Sequence, residues 1–220
     1  MKKNLIFTLM VILLPLAAVT AQGTSFGILG GVNFQNLNGK NYDGDKLEND
    51  LITGFHAGIN LQIPLVPEFY FQPGLMFSTK GAQHDGTIAH TTTNLSYVEL
   101  PLNLVYKGSL GSGFVMLGFG PYVGYAVKGK VTTDIGSVSD ESDITFQNTV
   151  EVGDPLTVPY YKAFDAGGNI FFGYETAGGL FALLNSQLGL IGINPEYKIL
   201  NNDESVIKNT GFGFSLGYRF

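Results

Sequence analysis

Alternation of bulky apolar residues with small or polar ones, at a period of two, is the feature that most constrains this chain. It is clearest in the C-terminal segment GFGFSLGYRF. Successive side chains of a β-strand point to opposite faces, so this segment predicts a strand with one broad apolar face. Such a face is either buried against a second sheet or turned outward to lipid. The bulky residues are Phe212, Phe214, Leu216, Tyr218 and Phe220.

Seven further stretches after residue 22 follow the same pattern, and none has the period of an amphipathic helix. Each is about as long as, or longer than, the roughly 9–11 residues with which a tilted strand crosses a bilayer. The eight predicted strands are residues 26–35, 53–63, 69–80, 95–107, 114–128, 162–175, 180–193 and 209–220.

Long and short connections alternate strictly along the chain. The long ones are residues 36–52, 81–94, 129–161 and 194–208, and the short ones are residues 64–68, 108–113 and 176–179. All short turns therefore lie at one end, with both termini, as in outer-membrane barrels with tight periplasmic turns. We predict an all-β fold, an eight-stranded antiparallel up-and-down transmembrane β-barrel (a meander), in the outer membrane.

Composition favours a membrane barrel over a soluble sandwich. Charged residues make up 14% of the chain, with aromatic residues at 13% and 30 glycines, whereas soluble domains have about a quarter charged residues. In hydrocarbon an unpaired backbone group is costly, so strands span a bilayer only as a closed barrel. Eight strands enclose an interior that side chains can fill. A soluble lipocalin-like barrel is the alternative.

The first 21 residues have the features of a secretory signal peptide. Two lysines are followed by an apolar run over residues 5–16 and a small-residue cleavage site over residues 19–21. The apolar run is shorter than the ~20 residues of a bilayer-spanning helix. We predict a signal peptide over residues 1–21 and a barrel domain over residues 22–220. The net charge of −6 gives no basic footprint, so we expect no nucleic-acid partner.

Three segments resemble one known family. The segments YVELPLNLVYKG, GFVMLGFGPYVGYAVKGK and IKNTGFGFSLGYRF resemble the PorT-like outer-membrane β-barrel family of Bacteroidota. The resemblance implies an outer-membrane location and insertion by the barrel-assembly machinery, which reads a C-terminal aromatic strand like residues 211–220. The family's founding member is associated with a protein-secretion system. The implied assembly signal comprises Phe212, Phe214, Leu216, Tyr218 and Phe220.

Ionisable residues concentrate on the strand face that also carries most of the glycines, which is the predicted lumen face. Charges inside a closed barrel have to pair. We therefore expect a polar network that fills the lumen, in which Arg219 meets a carboxylate. A proton or ion relay is the functional alternative. The network comprises His56, Glu99, Asp165, Glu175 and Arg219, with Lys107 as a further candidate.

The external connections carry two other candidate chemistries. His84, Asp85 and His90 lie near hydroxyl residues, as in a lipid-modifying hydrolase at the rim, but nucleophilic catalysis needs the base within hydrogen-bond reach of the nucleophile. The first connection resembles a calcium loop, yet Lys46 takes its glycine position and Ile52 its glutamate position. We therefore expect no enzyme, no metal and no cofactor.

The sequence predicts a structural or accessory barrel that serves a membrane-protein complex through its long external loops. A small porin-like channel or a hydrophobic-ligand carrier is the first alternative, and a lipid-modifying rim enzyme is the second. The expected partners are outer-membrane lipid and lipopolysaccharide, the barrel-assembly machinery and a membrane-protein partner.

Overall fold

Eight long strands form the body of the protein in the computed structural model, which describes residues 23–200 and 203–220. The predicted signal peptide lies outside the described residues. No helix within those two ranges is long and apolar enough to cross a membrane. The strands are β1 (Ser25–Lys40), β2 (Ile52–Val66), β3 (Phe69–Asp85), β4 (His90–Leu110), β5 (Gly113–Ile135), β6 (Phe164–Glu175), β7 (Leu180–Gly189) and β8 (Val206–Arg219).

The eight strands close into a ring. Each pairs antiparallel with the next in the chain, and β8 returns to β1, where Gly27 lies opposite Arg219. Since every strand has hydrogen-bonded neighbours on both sides, the ring has no open edge. The predicted all-β, antiparallel, up-and-down arrangement of eight strands is confirmed.

Alternation sorts the side chains between the two faces of the wall. Phe212 on β8 is 51% exposed, whereas Ser215 on the same strand is 1% exposed. Aromatic rings pair at the short-turn end, where the ring centroids of Phe69 and Tyr106 lie 5.4 Å apart. The outside is therefore an apolar surface with aromatic residues at its short-turn end, as a surface in contact with lipid requires.

The connections at the long-loop end differ from prediction. Residues 81–94 were predicted to be a long loop, but β3 continues to Asp85 and β4 begins at His90, so this prediction is wrong. The strands β3, β4 and β5 extend past the ring, and a short strand, Val138–Asp143, pairs with β5. We call this four-stranded extension the projecting sheet. Its alternating residues are mostly polar, so hydrophobic periodicity gave no signal for it.

Parts of the third and fourth long connections fold back over the ring. Ile144 and Ile193 are buried there against Leu95 and Tyr97 of β4. We call residues 144–163 and 190–200 the loop cap. Two parallel pairs of two-residue strands brace it: Thr145–Phe146 pairs with Tyr160–Tyr161, and Thr149–Val150 pairs with Glu196–Tyr197. Burial of an isoleucine contributes about 1.5–3 kcal/mol, so packing as well as hydrogen bonds holds the cap in place.

Strand β7 ends earlier than the sequence predicts, because Ile193 belongs to the loop cap. The sequence predicts strand up to residue 193, but β7 ends at Gly189. The chain then leaves the wall, and the amide of Ile193 donates to the carbonyl of Ile207. The apolar pattern that predicted more strand reflects burial in the cap instead.

Candidate functional site

The interior of the ring is the candidate site, because the strands direct all five residues of the predicted polar network into it. His56, Glu99, Asp165, Glu175 and Arg219 are each less than a tenth exposed. With Lys80 and Lys107 they form two charged clusters separated by a polar middle layer. We call Lys80, Glu99 and Asp165 the long-loop cluster, and Lys107, Glu175 and Arg219 the short-turn cluster.

In the long-loop cluster one ammonium group lies between two carboxylates. Lys80 Nζ is 2.6 Å from Glu99 Oε1 and 3.3 Å from Asp165 Oδ2. The ring centroid of Tyr122 lies 4.4 Å from the same nitrogen, which adds a cation–π contact. Because two negative charges face one positive charge, the cluster has a formal surplus of one negative charge.

Neutral groups donate hydrogen bonds to the two carboxylates. Asp165 Oδ2 accepts from Tyr122 Oη at 3.2 Å and from Asn209 Nδ2 at 2.9 Å. Gln187 Nε2 donates to Glu99 Oε2 at 3.1 Å. Asp165 Oδ1 has no hydrogen-bond partner within the described part of the chain. The surplus charge is thus spread over donors from several strands.

The short-turn cluster has the opposite balance. Glu175 Oε1 lies 2.6 Å from Lys107 Nζ, and its Oε2 lies 2.9 Å from Arg219 Nε. The guanidinium also donates to Asn60 Oδ1 at 2.9 Å and to Gln72 Oε1 at 3.4 Å. One carboxylate between two cations leaves a formal surplus of one positive charge, so the two clusters together are neutral.

Between the clusters lies a layer of uncharged hydrogen bonds around His56. Its Nδ1 is 2.5 Å from Asn33 Oδ1, and its Nε2 is 2.7 Å from Ser215 Oγ. A cavity of about 90 Å³ adjoins His56, and amide and hydroxyl side chains make up half of its lining residues. It has room for a few water molecules. In the described residues no side-chain hydrogen bond joins His56 to either cluster, so a proton relay would have to pass through such water.

Apolar layers close the interior at two levels. Near the long loops, Ile144 and Ile193 of the loop cap pack onto inward-facing residues of the wall. Towards the short turns, a second layer consists of Val105, Met116, Phe171, Phe181 and Leu183. Glycine makes this second layer possible, since a Cβ at Gly118 would lie 2.2 Å from the ring of Phe171. The interior is therefore filled by side chains.

Lys80 is the site residue that the sequence prediction missed. It was assigned only to the end of the third strand, although it shares its parity with Gln72 and Ser78, which are both buried. That parity was the available signal. Parity alone does not identify Lys80 as a site residue, because lysine is rarely fully buried unless it is paired, and its partners are far away in the chain.

The external histidines do not converge on one site. His90 Nδ1 contacts Asp85 Oδ1, its direct cross-strand neighbour, and Thr92 Oγ1 lies 3.4 Å from His90 Nε2. His84 Nδ1 instead bonds to the Glu48 carbonyl at 2.7 Å. The contacts of His90 follow from strand pairing in the projecting sheet. In the two described ranges no group of three or more His, Cys, Asp or Glu side chains is arranged to hold a metal ion.

A closed antiparallel ring with an apolar outside and a charged, filled inside is the architecture of small outer-membrane β-barrels. A family model agrees with that class. The model of the outer membrane protein beta-barrel domain matches residues 20–194, so the chain belongs to this family. The predicted location in the outer membrane is confirmed.

Two solved structures of Ail, the attachment invasion locus protein of Yersinia pestis, are similar to the chain. Each likeness covers 89% of this chain and 99% of that chain. The structure in complex with the heparin analogue sucrose octasulfate has 10% identity and a TM-score of 0.41, and the other has 8% identity and a TM-score of 0.39. None of the curated proteins matches the chain.

Proposed function

We propose that this protein is a non-enzymatic, non-conducting barrel of the PorT-like kind that serves as a structural or accessory subunit of a membrane-protein complex. In this proposal residues 1–21 direct export, and residues 22–220 form the barrel domain. The barrel-assembly machinery reads the aromatic C-terminal strand. The contacts with the partner are made by the projecting sheet and the loop cap. The observation that carries the proposal is the closure of the interior by the loop cap.

Closure of the interior argues against the channel. A conducting path needs continuous water, but Ile144 and Ile193 lie across the long-loop end in an apolar layer. Below them the side chains of Lys80 and Asp165 are 1% and 0% exposed. A moving ion would have to displace both the layer and the ion pairs. The same filling leaves about 90 Å³ in the middle cavity, which is small for a hydrophobic ligand, since ligand pockets measure about 300–1,000 Å³.

The external structures favour a role in contact with a partner. Ile88 and Val138, at the tip of the projecting sheet, are 79% and 68% exposed. Val152 and Leu156, in the loop cap, are 79% and 64% exposed. A protein partner that covers these two external structures would bury exposed apolar side chains, which favours association. These side chains lie at the end of the molecule where outer-membrane barrels carry their external loops.

Site-specific photo-crosslinking in intact cells tests the proposal. A photoreactive residue at position 88 or 138 should capture one protein in stoichiometric yield, and the same residue at position 110, at the short-turn end, is the matched control. Capture of lipid and assembly factors alone from positions 88 and 138 would contradict the accessory role. In planar bilayers the purified protein should show no stable conductance, and steady single-channel currents would support the channel instead.

A further inference from the structure

A basic groove lies on the outer face of the ring at the long-loop end. It has a volume of about 400 Å³ and runs between β1, β8 and β7. Lys40 and Lys208 line it. Alternation turns both side chains outward, because Asn209 follows Lys208 and is buried, and Leu37, three residues before Lys40 and of the opposite parity, is buried as well. Since Asn38 pairs with Lys208 and Lys40 with Val206, the two lysines are diagonal neighbours on adjacent strands, with Cα atoms about 7–8 Å apart.

A third lysine adjoins the groove. Lys46 forms an isolated antiparallel bridge with Lys40, so the two side chains leave the backbone on the same side. Like charges directly opposite each other destabilise a strand pair. In the part of the chain that the structure describes, none of Lys40, Lys46 and Lys208 forms an ion pair. Lys40 therefore has Lys46 on one side and Lys208 on the other, and three lysines without an ion-pair partner in this arrangement favour an anion.

One carboxylate lies in the same groove and does not neutralise it. Glu204 lines the groove, but its Oε2 is turned towards the turn at Gly44, where a Cβ would lie 2.5 Å from that oxygen. Its backbone amide is held by the carbonyl of Tyr42. Two lysines and one glutamate are the charged residues that line the groove, so its lining has a formal charge of +1.

The wall around and below the lysines is apolar. Leu188 and Val206 line the groove itself. Further down the outer face, the rings of Phe34 and Phe212 stack with centroids 5.3 Å apart. Phe212 follows Lys208 by four residues, which is about 13 Å along a strand. The lysines lie at the long-loop end, and the aromatic surface that faces lipid lies next to them towards the short turns. This arrangement suits an amphiphile with an anionic head and acyl chains.

We propose that this groove binds a phosphorylated glycolipid of the outer leaflet, with its phosphate between Lys40, Lys46 and Lys208 and its acyl chains along Leu188 and Phe212. The long loops mark the external end of the barrel, so the lipid that reaches the groove belongs to the outer leaflet. A protein partner fits less well, because the wall below the lysines is covered by lipid. The site is distinct from the projecting sheet and the loop cap, so its test is independent of the crosslinking experiment.

The test compares lipid binding by the purified full-length protein and its variants in detergent, measured by native mass spectrometry. The probes are a glycolipid carrying phosphates, the same glycolipid without phosphates, and phosphatidylglycerol. A lysine near an anionic lipid surface contributes about 1 kcal/mol, so Lys40→Gln or Lys208→Gln should weaken binding of the phosphorylated glycolipid about fivefold each, and the double variant about thirtyfold. The control is Lys128→Gln, which removes an exposed lysine of β5 without an ion-pair partner among the described residues.

The outcomes separate the possible occupants. Preference for the phosphorylated glycolipid, lost in the double variant and kept in the Lys128→Gln variant, supports the site. Equal binding of the dephosphorylated glycolipid would overturn it, as would an equal loss in the control. If phosphatidylglycerol binds as tightly, the groove recognises any anionic lipid and the assignment to a glycolipid fails. Each variant is first checked for heat-dependent gel mobility, so that a misfolded barrel is not scored.

Discussion

The two charged clusters inside the ring use the same side-chain chemistry with opposite balance. The long-loop cluster places Lys80 between two carboxylates, whereas the short-turn cluster places Glu175 between two cations. The neutral groups around each cluster complement the sign of its surplus charge. Around the surplus negative charge the neutral neighbours donate hydrogen bonds, from Tyr122 and Asn209 to Asp165. Around the surplus positive charge, neutral amide oxygens accept hydrogen bonds from Arg219.

This difference shows how a narrow closed barrel tolerates unequal buried charges. Each surplus charge is stabilised by dipoles of the right orientation on several other strands, and the two surpluses cancel over the whole interior. Removing one partner from a buried pair is far more costly than replacing the whole pair. The clusters should therefore respond unequally to loss of a cation, because one has a second cation and the other does not.

Loss of Lys80 should have the largest effect. Lys80→Met leaves Glu99 and Asp165 buried together with no cation in the cluster, so we expect a loss of about 3–5 kcal/mol in the free energy of unfolding. Thermal unfolding in detergent, followed by the heat-dependent shift in gel mobility, measures it. Asp165→Asn keeps one cation with one carboxylate and should cost much less. Equal losses in the two variants would contradict the charge balance described above.

The second-largest effect should come from loosening the loop cap, which covers the long-loop cluster and not the short-turn cluster. Ile193→Ala removes a fully buried side chain from the apolar layer, and such truncations cost about 2–5 kcal/mol. We expect faster cleavage of the cap by added protease while the ring stays intact on gels. Leu156→Ala, which truncates an exposed residue of the same cap, is the control. Unchanged cleavage of the Ile193 variant would mean that packing does not hold the cap.

Loss of Arg219 should have a smaller effect than loss of Lys80. The sequence predicts that Arg219 meets a carboxylate, and the structure adds a second cation, because Glu175 keeps Lys107 at 2.6 Å when Arg219 is lost. We expect a loss of about 1–3 kcal/mol from the missing hydrogen bonds. Adding Lys107→Met leaves Glu175 without a cation and should bring the loss to the level of Lys80→Met. A double variant as stable as Arg219→Ala alone would refute the shared carboxylate.

The smallest effect concerns the pH dependence of the loop cap. Burial raises the pKa of Tyr161 because it disfavours the phenolate, although a hydrogen bond with Thr93 acts in the other direction. A raised pKa means that the folded cap holds this proton more tightly than the unfolded chain does. The contribution is full below the ordinary tyrosine pKa of about 10 and is lost as pH rises through the folded value.

The measurement is protease cleavage of the cap between about pH 9 and about pH 11. The wild type should become more sensitive over this range, and Tyr161→Phe should flatten the increase because phenylalanine does not ionise. Identical pH profiles for the two proteins would count against this role of Tyr161. The ring should keep its gel mobility throughout, which separates opening of the cap from unfolding of the barrel.

Several parts of the site were predictable because they depend only on local alternation. The inward direction of Glu99, Glu175 and Arg219 follows from the parity of their strands, as does the outward direction of Phe212. The same rule applies to Lys80, but the sequence prediction leaves it out because lysine is rarely buried without a partner, and its two carboxylate partners are distant in the chain. The loop cap had no such signal, since isolated apolar residues in a polar connection have no period.

By itself, the sequence determined the strands, their faces and the antiparallel order, because a period of two and the contrast between long and short connections are read from neighbouring residues. Only the tertiary structure decided which charges meet. Lys80 and Asp165 are 85 residues apart in the chain and meet because closure of the ring brings inward-facing side chains of β3 and β6 together in one interior. The extension of β3, β4 and β5 beyond the wall and the folding of the cap onto Leu95 were likewise decided there, since both depend on contacts between distant segments.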